Sequence, residues 1–199
     1  MRDRPWSCHR RDRGATLVEF AIAFPVLILV MMGIVDFGLN YSNKVQLADA
    51  ARAAARAGSI ANVGSDTTCP LRTATALSPA TRALMCNAKA RARTDPTRLA
   101  VKILYMGAHG RETTSIADRD AGNPSSLVVC MSVSTYSITG LLSPLFNGHF
   151  QHSRAVIKTG HPESHGGAFV APGQETPMTA GGATDSWAFC KADDPTGME

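Results

Sequence analysis

Between Ala15 and Val35 the chain is almost without ionisable side chains: Glu19 stands alone among 21 residues that are otherwise apolar or small. As an α-helix rising about 1.5 Å per residue, such a run covers roughly 31 Å, the thickness of a bilayer core. The missing charge therefore predicts a membrane-spanning helix over residues 15–35. Net charge is scarce as well. Twenty basic against 16 acidic residues give +4, and setting aside residues 1–14, with their five Arg and two Asp, leaves +1. A chain so close to neutral lacks the basic footprint that nucleic acid requires, and no nucleic-acid partner is expected. No G-x-S-x-G, Walker loop or Cys/His nucleophile arrangement occurs, so enzymatic activity is not expected. Internal repeats are missing too.

What is present sets a topology. Arg2, Arg4, Arg10, Arg11 and Arg13 precede the apolar run, against Asp3 and Asp12, while Lys44 is the only basic residue in the first dozen beyond Val35. The positive-inside rule then places the N-terminus in the cytoplasm and everything after Asp36 outside, as a single-pass protein of the cytoplasmic (inner) membrane. A cleaved secretory signal also begins basic and then apolar. Here, however, the run is too long for an h-region, and Gly33 to Gly38 makes a poor A-x-A cleavage site.

Glu19 needs an account of its own. A carboxylate in hydrocarbon costs about 2.5–3.5 kcal/mol on insertion scales, so an intramembrane acid calls for a partner. One reading has Glu19 snorkelling to the cytoplasmic headgroups, towards Arg13. Another appears if the chain is cut after Gly14, because the new α-amino group of Ala15 would be a cation within reach of Glu19.

The stretch Gly14-Ala15-Thr16-Leu17-Val18-Glu19-Phe20 resembles a type IV prepilin processing site of the Flp, or tight-adherence, class. Its continuation through Phe24-Pro25-Val26-Leu27, Gly33-Ile34-Val35-Asp36-Phe37-Gly38 and the run Leu47–Gly58 is similar to the TadE-like family of tight-adherence pilus assembly proteins. The resemblance covers about Arg13 to Gly58 and carries no expectation beyond it. It implies a pseudopilin, possessing a leader that a prepilin peptidase removes and a helix that supports pilus assembly. Carried over by position, Gly14 would be the last leader residue, Ala15 the new N-terminus, Glu19 the acid paired with it and Phe20 the neighbouring aromatic. The implied partners are the peptidase, other pilins or pseudopilins, Tad assembly proteins and the lipid bilayer.

The rest of the helix can be read from its residues. Pro25 is expected to kink or loosen the span, which a membrane helix tolerates when neighbours satisfy the freed carbonyl. Phe37, Tyr41, Val45 and Ala48 recur at helical spacing, so the helix should continue into water, with Tyr41 as an interfacial anchor. From Ala48 to Ala57 there are seven alanines with Asp49, Arg52 and Arg56, a strong helix former ending at Gly58 as a C-cap. Its small side chains allow close backbone approach to a partner helix or to this chain's own outer domain. Pro25, Gly33, Asp36, Gly38, Ala51, Arg52 and Arg56 are the candidate helix-packing residues.

The expected fold class is α+β: a long N-terminal transmembrane and amphipathic helix, then a small extracytoplasmic domain with a short antiparallel sheet. The domain should occupy 59–159, after a leader over 1–14, the span over 15–35 and a helix extension over 36–58. Within it, Ser59 to Leu71 reads as a loop. Ser78-Pro79 offers an N-cap and first position for a helix to about Arg93, closed by Asp95-Pro96. Leu99–Met106, Leu127–Ile138 and His152–Thr159 read as strands, and Thr139–Phe146 as a short helix or turn. Residues 160–199, rich in Gly, Pro, Ser and Thr, are expected to be mostly flexible.

Cys8 lies in the leader, which leaves Cys69, Cys86, Cys130 and Cys190 in a disulfide-permissive compartment. Three pairings are open. The favoured ones are Cys69 with Cys86, stapling the loop to the following helix, and Cys130 with Cys190, tying the tail to a strand. His161 and His165 have a spacing that superficially suits zinc, but Pro162 and Gly166-Gly167 deny them a common helix face. No Asp-x-Ser-x-Ser metal signature occurs either, and neither metal nor cofactor is expected. Besides the pilus reading, the sequence admits an uncleaved, signal-anchored envelope protein whose outer domain binds a ligand or partner, and more remotely an envelope enzyme.

Overall fold

The computed structural model describes residues 12–60, 63–65, 67–72, 77–106, 112–113, 126–158 and 170–190, with side chains from residue 16 onward and none at 112–113. Cys8, His161 and His165 lie outside the described residues. One helix dominates: α1, Asp12–Ser59, 48 residues and so about 72 Å long. It runs unbroken through Pro25, so the apolar run and the alanine-rich run are one rod.

The remainder is an antiparallel sheet built against the second half of that rod. Helix α2 (Pro79–Arg91) starts where Ser78 caps it, the Ser78 hydroxyl accepting from Thr81 N at 3.1 Å with Pro79 in the first turn. Asp95 then caps a short 3₁₀ turn, Pro96–Arg98, that leads into β1 (Leu99–Met106). The sheet is completed by β2 (Glu112–Thr113), β3 (Ser126–Ser134), β4 (Phe150–Lys158), which follows the one-turn helix α3 (Ser143–Phe146), and β5 (Gly173–Gln174). Its order is β2-β1-β3-β4, and β5 also pairs with β1. A separate two-stranded ribbon joins β6 (Thr179–Ala180) to β7 (Ala183–Thr184).

Register sorts the side chains onto two faces. Leu99, Val101, Ile103 and Tyr105 of β1 lie across from Val133, Met131, Val129 and Leu127 of β3. They form one core with Leu47, Ala50, Ala51, Ala54 and Ala55 of α1 and with Leu84, Met85 and Ala88 of α2. The opposite face carries Leu104, Met106, Val128 and Cys130, covered by Phe189, Cys190 and Trp187. Both faces being covered, β1 and β3 are buried almost throughout, which is why they read as continuous apolar runs with little alternation.

Three expectations change in detail. Strand β3 stops at Ser134, four residues short of Ile138, because Tyr136–Thr139 turn back to bond α1. Gly58 is no C-cap: it lies inside α1, where a Cβ would come within 2.5 Å of Leu127 Cδ2 and 2.8 Å of Leu84 Cδ2. Glycine is needed there for close packing, and left-handed backbone plays no part. Residues 170–190, expected within a flexible tail, pack on the sheet. Glu175 and Cys190 are fully buried, and Trp187 Nε1 donates to Glu175 O at 3.1 Å.

Candidate functional site

The candidate site is α1 itself, and its halves differ. From Leu17 to Val35 the large apolar side chains, including Phe20, Ile22, Leu27, Val30 and Ile34, are exposed, with Ile28 half-buried. Glu19 is exposed among them and forms no ion pair among the described residues. The rings of Phe20 and Phe24 lie 5.3 Å apart along one side. Gly14 and Ala15 are helical. Ala15 and Glu19 stand one turn apart, the spacing at which helix neighbours face each other. At Gly33 and Gly38 a Cβ would meet nothing within 4 Å, so among the described residues these glycines border open surface.

Past Val35 the helix enters the domain, and the change is made by one carboxylate. Asp36 is 1% exposed. Its Oδ1 accepts from the backbone N–H groups of Ile138 and Thr139 at 3.0 and 3.1 Å, and its Oδ2 accepts from the hydroxyls of Ser137 and Thr139. One turn on, Asn40 donates from Nδ2 to Tyr136 O at 3.2 Å, and its backbone carbonyl accepts from Gln151 Nε2 at 3.1 Å. Asp36 and Asn40 thus clasp α1 to the β3–β4 connection. As the only acid between Glu19 and Asp49, Asp36 reads in sequence as the end of the apolar run, and nothing local names its partners a hundred residues away.

Further along, Ala51 is buried at the sheet, while Arg52 and Arg56 face solvent and Arg52 pairs with Asp49 at 3.8 Å. Of the two packing surfaces open to the alanine-rich run, the chain's own domain takes Leu47, Ala50, Ala51, Ala54 and Ala55. Phe37, Tyr41 and Val45 lie on another side of the helix and stay exposed, Phe37 at 65% and Tyr41 at 61%. Of the residues grouped as a packing motif, Asp36 and Ala51 therefore serve the fold, whereas Gly33 and Gly38 remain on free surface.

The domain is stapled around this rod. Cys69 is bonded to Cys86, with Cα atoms 5.4 Å apart, and Cys130 to Cys190, at 5.8 Å. Lys89 and Glu175 form a buried ion pair at 2.7 Å. Lys89 also donates to the carbonyls of Pro70 and Pro96, and Glu175 accepts from the backbone N–H groups of Arg72 and Val101. Burial pulls the Lys89 ammonium below the usual lysine range, with Glu175 acting against it. On the other sheet face Asp185 accepts from the Ser132 hydroxyl and bonds His152 Nε2 at 2.9 Å. The carboxylate stands in the middle of the trio and fastens the segment that carries it to Ser132 of β3 and His152 of β4. A cavity of about 450 Å³ lies between Arg98, Ser134–Tyr136, Asn147–Gly148 and Ala180–Gly181. Its one charged group, Arg98, is already spent on the Tyr136 ring at 3.7 Å and on Ser134 O.

These features define a class: an α+β domain wrapped on the far half of a helix whose near half is bare and apolar. A family model described as TadE-like protein matches residues 14–56, within two residues of each end of the resemblance read along the sequence. The matched stretch holds the bare half, Asp36 and the sheet-docked alanines. No curated protein and no solved structure matches the chain.

Proposed function

We propose that this chain is a membrane-anchored, pilin-like component of a tight-adherence pilus, cut after Gly14 by a prepilin peptidase and inserted N-in, C-out in the cytoplasmic membrane. The observation that carries this reading is the division of α1. Residues 16–35 offer an apolar, unpacked surface of bilayer length, and the TadE-like match spans both that surface and the half that holds the domain. The TadE-like family is one of pilus structure and assembly, not of catalysis. Two further features support a role among neighbouring helices. Gly33 and Gly38 leave room for close approach, as small residues do at membrane helix interfaces. The exposed line Phe37, Tyr41 and Val45 continues the apolar surface beyond the span on a side left open among the described residues.

In this mechanism, cleavage frees the Ala15 amine, and Glu19 of the same or a neighbouring chain neutralises it. The helix can then enter or prime a bundle without an unpaired charge in hydrocarbon. The test is the intact mass and N-terminal sequence of membrane-extracted protein, made with and without the peptidase. A start at Ala15 that depends on the peptidase is expected. A full-length chain retaining Cys8 in both preparations would overturn the processing step and leave an uncleaved envelope anchor.

A further inference from the structure

We propose that the β3–β4 connection, Ile138–Leu145, is a second membrane contact: an apolar tip seated in the outer headgroup region of the bilayer that α1 spans. The proposal rests on the reading of residues 15–35 as a span and goes beyond it, since nothing in that reading requires the outer domain to touch lipid.

Position comes first. Asp36 is the first residue after the apolar run, and its carboxylate holds the backbone N–H groups of Ile138 and Thr139 at 3.0 and 3.1 Å. Helical side chains lean towards the N-terminus and cover the turn before their own Cα. Ile138 and Thr139 are therefore held beside the last turn of the span, at the level where hydrocarbon gives way to headgroups. Asn40, bonded to Tyr136 O, fixes the connection from one turn further out.

Composition agrees with that position. From Thr135 to Gly148 there is no Asp, Glu, Lys, Arg or His, unusual for a surface connection, where polar turn residues dominate. Ile138 and Leu141 are exposed, and Leu145, on α3, is 66% exposed. The segment is nonetheless built: Thr135 Oγ1 donates to the carbonyls of Phe146 and His149 at 2.6 and 3.0 Å, closing its base. For exposed leucines on a closed, uncharged loop tied to the end of a span, burial in the interface gains apolar area at little ordering cost.

The experiment uses the full chain with Cys8→Ser, reconstituted into phosphatidylethanolamine/phosphatidylglycerol vesicles. A single nitroxide label is attached at Leu145→Cys, Leu141→Cys, Val26→Cys or Val156→Cys, and collision with oxygen is compared with collision with a water-soluble nickel chelate. Val26 reports the span, and Val156, exposed on β4, reports water. The labels at 141 and 145 are expected to show oxygen-to-nickel ratios several-fold above the label at 156 and below that at 26. Ratios at 141 and 145 equal to the one at 156, with 26 still in lipid, would overturn the loop contact and leave the span standing. Shielding of 141 and 145 from both reagents would also overturn it, in favour of a protein neighbour on the loop. A water-like label at 26 would remove the span and the proposal together.

Discussion

The two halves of α1 share one backbone and have opposite surroundings, and the difference lies in side-chain size. The bare half carries Leu, Ile, Val, Met and Phe, most of them exposed. The docked half buries Ala50, Ala51, Ala54 and Ala55, with Leu47 as its one large core residue. A sheet needs small residues on a helix that lies close across it, while lipid sets no such limit and rewards area. Hydrophobicity alone would assign the halves the wrong way round, since the more apolar half is the one left unpacked among the described residues.

The strongest way to break this comparison is to place the same charge in each half. Ala54→Asp puts a carboxylate without a partner into the core and should destabilise the outer domain by about 3–5 kcal/mol, read as lost near-UV dichroism in detergent. Ile22→Asp should leave that domain's unfolding unchanged and instead weaken membrane insertion by about 2.5–3.5 kcal/mol, read as protein lost from the membrane fraction. If both variants gave the same phenotype, the two halves would not be functionally distinct.

A second test acts on the junction between the halves. Asp36→Ala removes the acceptor for two backbone N–H groups and two hydroxyls. Amide exchange at Ile138 and Thr139 should speed up markedly, while the β1–β3 ladder keeps its protection. Unchanged exchange at 138 and 139 would mean that the clasp does not hold the loop.

Much of this arrangement can be read along the chain, where local signals suffice. The cap at Ser78-Pro79, the run Leu99–Met106 and the change from bulky to alanine-rich helix all announce themselves within a few residues. What escapes is long-range pairing of polar groups. Asp36 with Ser137–Thr139, Lys89 with Glu175 and Asp185 with His152 join residues tens to a hundred positions apart, and each partner taken alone looks like an ordinary surface residue. The segment around Gly173–Cys190 misleads for the same reason. Its Gly- and Thr-rich composition implies looseness, yet Glu175, Trp187, Phe189 and Cys190 anchor it at separated points that composition does not weigh.

Glycine substitutions sharpen the comparison at smaller amplitude. Gly58→Ala gains helix propensity of roughly 0.8–1 kcal/mol but drives a methyl into Leu127 and Leu84, both fully buried and closely packed. Overpacking costs about 1–3 kcal/mol, so the net outcome should be a loss of about 1 kcal/mol in denaturant unfolding. Gly33→Ala and Gly38→Ala meet open space and should leave the domain's stability unchanged or slightly raised. If they also impair pilus output, the lost room is room for another helix.

The smallest effect concerns the sheet face away from α1, where Asp185 fastens the C-terminal segment. Burial alone would raise its pKa, but the hydrogen bonds from His152 and Ser132, with the charge of His152 adding to them, outweigh burial and hold the carboxyl below the usual aspartate range. A carboxyl depressed in the folded state contributes stability that is complete above its unfolded value, near 3.9, and is lost as pH falls through the folded value. Trp187, bonded to Glu175 O in the same segment, should therefore fluoresce steadily from neutral pH down to about pH 4 and shift only in stronger acid. Asp185→Asn should weaken attachment of the segment at neutral pH and flatten the part of the acid response due to this group. The Cys130–Cys190 bond keeps the segment tethered in both proteins, so the readout is local loosening of Trp187 and not release. An acid response identical in the variant would assign it to other carboxylates and leave Asp185 a bystander on that face.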